Sequence, residues 1–121
     1  MFEWATGNAY AMIVTIYSSN FTLNTAACNH FKDYKYCMLG LDKENKKVAI
    51  KAVSKEEIDL GLVYLENLHK ISIGKGYARI SNKVFIEEIY NLTLEREEGL
   101  KYAASFDEKE KMLIIDLNNK L

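Results

Sequence analysis

The chain has 121 residues, is 49% apolar and 27% charged, and carries a net charge of −1. That is the length of one domain, 1–121, with enough apolar residue to bury a core, which excludes wholesale disorder and argues against a dedicated polyanion binder. Two cysteines, Cys28 and Cys37, exclude a disulfide framework, and Lys outnumbers Arg 14 to 2 with no Pro or Gln, a bias read as codon usage in an AT-rich genome.

Met1 to Asn8 contain Glu3 and no Lys or Arg, so the apolar run Ala9 to Tyr17 lacks the basic flank of a signal peptide. It is also too short to span a bilayer. The expectation is a cytoplasmic protein with reduced thiols and no membrane partner. Asn20-Phe21-Thr22 and Asn91-Leu92-Thr93 fit the glycosylation pattern, which carries no meaning without export.

In chain order, Ala9 to Tyr17 is rich in β-branched and aromatic residues and reads as a strand. Ser18-Ser19-Asn20 is a turn into a short strand, Phe21 to Leu23. Asn24 or Thr25 can cap a short helix to about Phe31, because a side-chain oxygen there accepts from the first free N–H groups. Tyr34 to Leu41 and Lys47 to Val53 form a hairpin around the polar loop Asp42 to Lys46. Ser54-Lys55-Glu56-Glu57 is a capping box. Leu62 to Ile73 suits either a strand pair or a short helix. Gly74-Lys75-Gly76 is a turn and Tyr77 to Ile80 a short strand. Ser81 is expected to cap a helix from Asn82 to about Tyr90, with Val84, Phe85 and Ile89 on its apolar face. Leu100 to Phe106 and Met112 to Leu117 close the chain as a second hairpin.

The two halves, 9–53 and 68–117, thus read alike. Val14/Ile71, Ile16/Ile73 and Leu23/Ile80 match at an offset of 57 residues, and Asp42/Asp107, Lys46/Lys111 and Ile50/Ile115 at 65. The expected fold is α+β: two strand–helix–β-hairpin units packed into one small barrel-like or two-layer domain. A pseudo-twofold between the units and an accident of pattern both remain open at this point.

Three resemblances follow from motifs. Val63-Tyr64-Leu65-Glu66-Asn67-Leu68 and Lys75-Gly76-Tyr77-Ala78-Arg79-Ile80 resemble the two signature strands of RNA-recognition motifs, in which aromatics stack bases. Only six residues separate them, too few for the helix and strand that family requires, although Tyr64, Tyr77 and Arg79 would suffice for a smaller stacking patch. Gly76-Tyr77-Ala78-Arg79-Ile80-Ser81 resembles a stretched form of the Gly-Arg-aliphatic segment that leads into a helix in swapped-hairpin barrels of the AbrB and MraZ kind. The family's Pro at the helix start is missing, and the first half offers no Arg. That resemblance implies DNA binding through basic residues, here Lys43, Lys46, Lys47, Lys51 and Arg79. Tyr36-Cys37-Met38-Leu39-Gly40-Leu41-Asp42 is similar to a pattern in small uncharacterised bacterial proteins and implies no function.

No Cys/His pair has zinc-finger spacing, and Cys28-x-His30 sits on an expected helix where residues two apart diverge. No metal or cofactor is expected. A Cys–His nucleophile is open by composition, but nothing in the sequence activates either thiol. Residues 30–55 carry seven Lys against three acids, and residues 84–121 nine acids against five bases. These runs read as solvated faces or as complementary patches that steer a partner or a second copy, with the strand Ala9 to Tyr17 supplying an apolar edge. The favoured reading is a non-catalytic cytoplasmic binding domain with a protein partner or self-association. The rival is a DNA-binding regulator of swapped-hairpin type, and the third a small enzyme using Cys28 or Cys37.

Overall fold

The structure is a computed structural model that describes Met1 and residues 11–121. The expected start of the first strand and of the first unit at residue 9, and the N-terminal stretch weighed as a signal peptide, lie outside the described residues.

Alternation of apolar residues builds the first strands. Strand β1 (Met12–Ile16) buries Val14 and Ile16, and β2 (Asn20–Leu23) buries Phe21 and Leu23. Asn24 then performs two tasks. Its Oδ1 accepts from the Ala27 N–H at 3.1 Å, capping α1 (Thr25–Cys28), and from the Ile13 N–H at 3.1 Å. Its Nδ2 donates to the Ala11 carbonyl at 2.7 Å, so one side chain starts the helix and ties it to β1. A 3₁₀ turn, Asn29–Phe31, follows. Strands β3 (Tyr36–Asp42) and β4 (Lys47–Val53) form the expected hairpin, with Cys37, Val48, Ile50 and Ala52 buried.

The capping box at Ser54 starts α2 (Lys55–Asp59). The ambiguous stretch becomes neither a full helix nor a full strand pair. It is a 3₁₀ turn, Leu65–Asn67, and two two-residue strands, β5 (His69–Lys70) and β6 (Ser72–Ile73). Strand β7 (Ala78–Ser81) leads into α3 (Lys83–Thr93), whose cap is Asn82 rather than Ser81. The face turned to the core also differs from the expected one. Ile86, Ile89 and Tyr90 are buried, Phe85 packs edge-on to Phe21 with ring centroids 6.0 Å apart, and Val84 is 75% exposed. Strands β8 (Leu100–Asp107) and β9 (Met112–Lys120) complete the chain.

The nine strands of the described residues join one antiparallel sheet in the order β5-β3-β4-β9-β8-β1-β2-β7-β6. Its two ends, β5 and β6, are separated in the chain by Ile71 alone, so the sheet curls until its edges meet. The Ile71 N–H donates to the Lys35 carbonyl at 2.9 Å, and Asn82 Nδ2 lies 3.3 Å from His69 Nδ1 near the seam. The result is a nearly closed barrel. Inner faces of the strands, Ala27, Cys28 and Phe31 from the first helical segment, and Ile86, Ile89 and Tyr90 from α3 fill one core. Strand β1 is interior, paired to β2 and β8. The described part of the Ala9–Tyr17 run is therefore not the free apolar edge expected of it.

Candidate interaction surface

The connector from α2 to β5 is the most conspicuous apolar surface, and local chemistry explains why it holds its shape. Ser54 Oγ accepts from the Glu57 N–H at 3.1 Å while Glu57 Oε1 accepts from the Ser54 N–H at 3.2 Å, satisfying two free donors of the helix start. At the other end Gly61 adopts φ 70°. The Gly61 N–H donates to the Ile58 carbonyl and the Leu62 N–H to the Glu57 carbonyl, both at 3.0 Å, which is the Schellman closure of a helix. In that motif the residue after the glycine usually packs back on the helix. Here Leu62 does not: Leu60, Leu62, Tyr64 and Leu65 are 65–74% exposed. The 3₁₀ turn then fixes the tail of the segment, with the Asn67 N–H donating to the Tyr64 carbonyl at 3.0 Å.

Beside this ridge lies a cavity of about 450 Å³ lined by Tyr34, Tyr36, Val53 and Ile58, with Asp33, Lys35 and Lys55 at hand. Helix α2 supplies one wall through Lys55 and Ile58, so the cavity and the ridge share an element. Lys70 is the cross-strand neighbour of Tyr36 and adds to the basic character. A shallower depression of about 430 Å³ lies over the outer face of β3, β4 and β9, floored by Met38, Gly40, Ala49 and Met112 and bounded by Glu66 and Asn67 of the connector.

The basic residues singled out from sequence are only partly brought together. Lys43 and Lys46 sit at the tip of the first hairpin, and Lys47 and Lys51 follow on β4. Lys47 pairs across strands with Asp42 on β3 and Asp116 on β9. Lys51 Nζ donates to the Glu110 carbonyl at 3.0 Å and lies 3.9 Å from its carboxylate. Arg79 is exposed on β7, with β9, β8, β1 and β2 between it and β4. The Lys-rich and acid-rich hairpins therefore meet within one chain through β4 and β9, which answers part of each charge run locally.

The other motifs resolve simply. Val63–Leu68 forms a loop and a 3₁₀ turn, not the strand an RNA-recognition motif needs. Tyr64 and Tyr77 are exposed. Cys28 and Cys37 are free and buried, and burial pushes the Cys37 thiol up to about 12 and the Cys28 thiol upward. Both stay protonated at neutral pH, the wrong form for a nucleophile. His30 stacks on Phe106 with ring centroids 3.9 Å apart. Among the described residues no three His, Cys, Asp or Glu side chains gather as a metal site, and no helix is long and apolar enough to cross a membrane.

The exposed connector escaped sequence reading because an apolar run such as Leu62-Val63-Tyr64-Leu65 looks the same whether it faces a core or solvent. Comparisons with protein families, curated proteins and solved structures find no match for the chain.

Proposed function

We propose that the chain is a non-catalytic cytoplasmic interaction domain, built from two related strand–helix–hairpin units in the swapped-hairpin manner, that binds a protein partner through the connector between the units. The observation that carries this reading is the connector itself: three leucines and a tyrosine held in water by a well-capped segment. Leaving such a side chain exposed forgoes about 1.5–3 kcal/mol of burial. A partner that covers the ridge recovers it, and clustered apolar exposure on this scale marks interaction sites.

The relation between the units is supported by recurring details. The Tyr17 N–H donates to the Asn20 carbonyl, and 57 residues on the Gly74 N–H donates to the Tyr77 carbonyl. Asn24 caps α1 and Asn82 caps α3. Asp42 Oδ1 accepts from the Asn45 N–H and Asp107 Oδ1 from the Glu110 N–H, each at 3.1 Å. Lys46 and Lys111 share the left-handed region at φ 54° and 57°. The Ala52 N–H donates to the Lys111 carbonyl and the Leu117 N–H to the Lys46 carbonyl, a pair that exchanges with itself at an offset of 65. With β5 and β6 taken as one rim, exchanging the halves leaves the order around the barrel unchanged. The axis of that exchange passes by the cross-strand pairs Ala49–Ile114 and Thr22–Arg79.

DNA binding is the weaker reading, because Lys47 and Lys51 face acids of their own chain and Arg79 lies on a different part of the barrel. A near-neutral chain has little counterion release to drive such binding. Titration against random and palindromic duplexes at two salt concentrations should give weak, unselective binding. Tight and selective binding at physiological salt would reverse the preference. For the favoured reading, a photo-crosslinking amino acid placed at position 64 in the producing cells should yield a discrete protein adduct. A position 64 that forms no protein adduct, while exposed control positions behave alike, removes the connector as a binding surface.

A further inference from the structure

We infer that the partner of the connector is a second copy of this chain, docked reciprocally so that the Leu60–Leu65 ridge of each copy enters the Tyr34/Tyr36/Ile58 cavity of the other. This deepens the function proposed above and rests on the connector being the binding surface. Three observations converge on it.

The first is chemical fit. The ridge presents bulky apolar groups, 65–74% exposed, and the cavity of about 450 Å³ offers two tyrosines and two aliphatic walls. The second is charge. Residues 56–66 carry Glu56, Glu57, Asp59 and Glu66 and no base. Lys35 and Lys55 line the cavity and Lys70 lies across from Tyr36, with Asp33 the one acid among the lining residues. Glu57 is held in its own capping box and Glu66 bounds the shallower depression, which leaves Glu56 and Asp59 to face lysines of another molecule. The third is geometry. Helix α2 forms a wall of the cavity through Ile58 and carries the ridge from Leu60 onward, so knob and hole lie about one helical turn apart. A twofold axis between two such neighbouring features brings each knob over the other copy's hole, and the contact closes as a dimer rather than growing into a filament. The opposite charges of ridge and cavity set the register, and the apolar ridge, counted twice across the axis, supplies the affinity.

This differs from the pairing of the two charge-rich hairpins, which meet in part inside each chain.

Light scattering from about 10 μM to 1 mM, at low and high salt, tests the inference, a range that reports dissociation constants from micromolar to millimolar. The molecular mass should approach twice that of the chain as concentration rises, more readily at low salt. Leu62→Asp with Tyr64→Asp should weaken association at least tenfold. Charge reversal gives the sharper test. Lys35→Glu with Lys55→Glu makes ridge and cavity both acidic, and Glu56→Lys with Asp59→Lys makes both basic, so each variant alone should remain a monomer. Mixed together, they should form a heterodimer, because both reciprocal contacts are then of opposite sign. That rescue also shows that both variants are folded. A wild-type monomer at 1 mM, a dimer that the ridge variant keeps, or a mixture that stays monomeric overturns the inference. If the chain is a monomer while position 64 crosslinks to a different protein, self-docking fails but the interaction reading stands. If neither dimer nor adduct forms, both fail.

Discussion

Cys37 faces the core with no exposed surface, and burial pushes its thiol from 9.0 up to about 12. The raised value means that the folded chain holds this proton more tightly than the unfolded chain does. Its contribution to stability is therefore complete below about pH 9 and is lost as the pH rises toward 12. Within that window the slope approaches about 1.4 kcal/mol per pH unit for one such group. Tyr90 and Tyr102 are shifted upward mainly by burial and act in the same direction at higher pH. The urea midpoint should fall between about pH 9 and pH 12, and Cys37→Ala should flatten the first part of that fall while lowering stability at all pH values. Parallel pH profiles for the two proteins would show that another group dominates. Asp42 carries the opposite sign. Hydrogen bonds from Asn45, side chain first, hold its carboxyl below the ordinary value, so its contribution is present above the usual aspartate range and is lost in acid.

Helix α3 shows how one residue of phase decides which side chains matter. Capped by Asn82, it lies with Ile86, Ile89 and Tyr90 against the core and Val84 in solvent. Ile86→Ala should cost about 2–5 kcal/mol, the range for a buried aliphatic truncation. Val84→Ala should stay within about 0.5 kcal/mol, as surface changes do. Chemical denaturation of the two variants checks this, and a larger loss at Val84 would mean that the helix turns its Val84 face to the core. The ambiguity is built into the sequence, because Ser81 and Asn82 are both good caps and apolar residues at 84, 85, 86 and 89 satisfy either phase. The hairpin β3–β4 was legible for the opposite reason: two alternating runs flank the polar loop Asp42–Lys46, and a one-residue slip would turn Val48, Ile50 and Ala52 outward together. The capping box at Ser54 was legible because it is wholly local. Leu62 to Ile73 was not, since β5 exists only through its distant partner β3, and β6, though it pairs with nearby β7, is only two residues long. The ridge was hidden by the same limit: only the fold tells which apolar runs find a cover.

At the scale of the molecule, the halves alternate around the barrel. Strands β3 and β4 are followed by β9 and β8, then β1 and β2, then β7 and β6. Neither half owns a core, since Ile50 and Val48 pack in register with Leu113 and Ile115, and Phe21 with Ile80. Fragments 1–61 and 62–121 should each lack a cooperative thermal transition, whereas an equimolar mixture should regain the circular dichroism of the whole chain. A fragment that melts cooperatively alone, as a monomer, would show that one half is self-sufficient. The interleaving also sets the order of events during translation. Strand β4 waits for β9 and β1 waits for β8, so the first half emerges from the ribosome with its inward faces unpartnered. Pairings this distant in sequence fold slowly. A nascent chain arrested before Met112 should be digested readily by added protease, and resistance should appear only once β9 has cleared the exit tunnel. For as long as synthesis lasts, Val14, Ile16, Val48 and Ile50 are apolar surface on offer to chaperones, a demand on the cell that ends only when the last strand arrives.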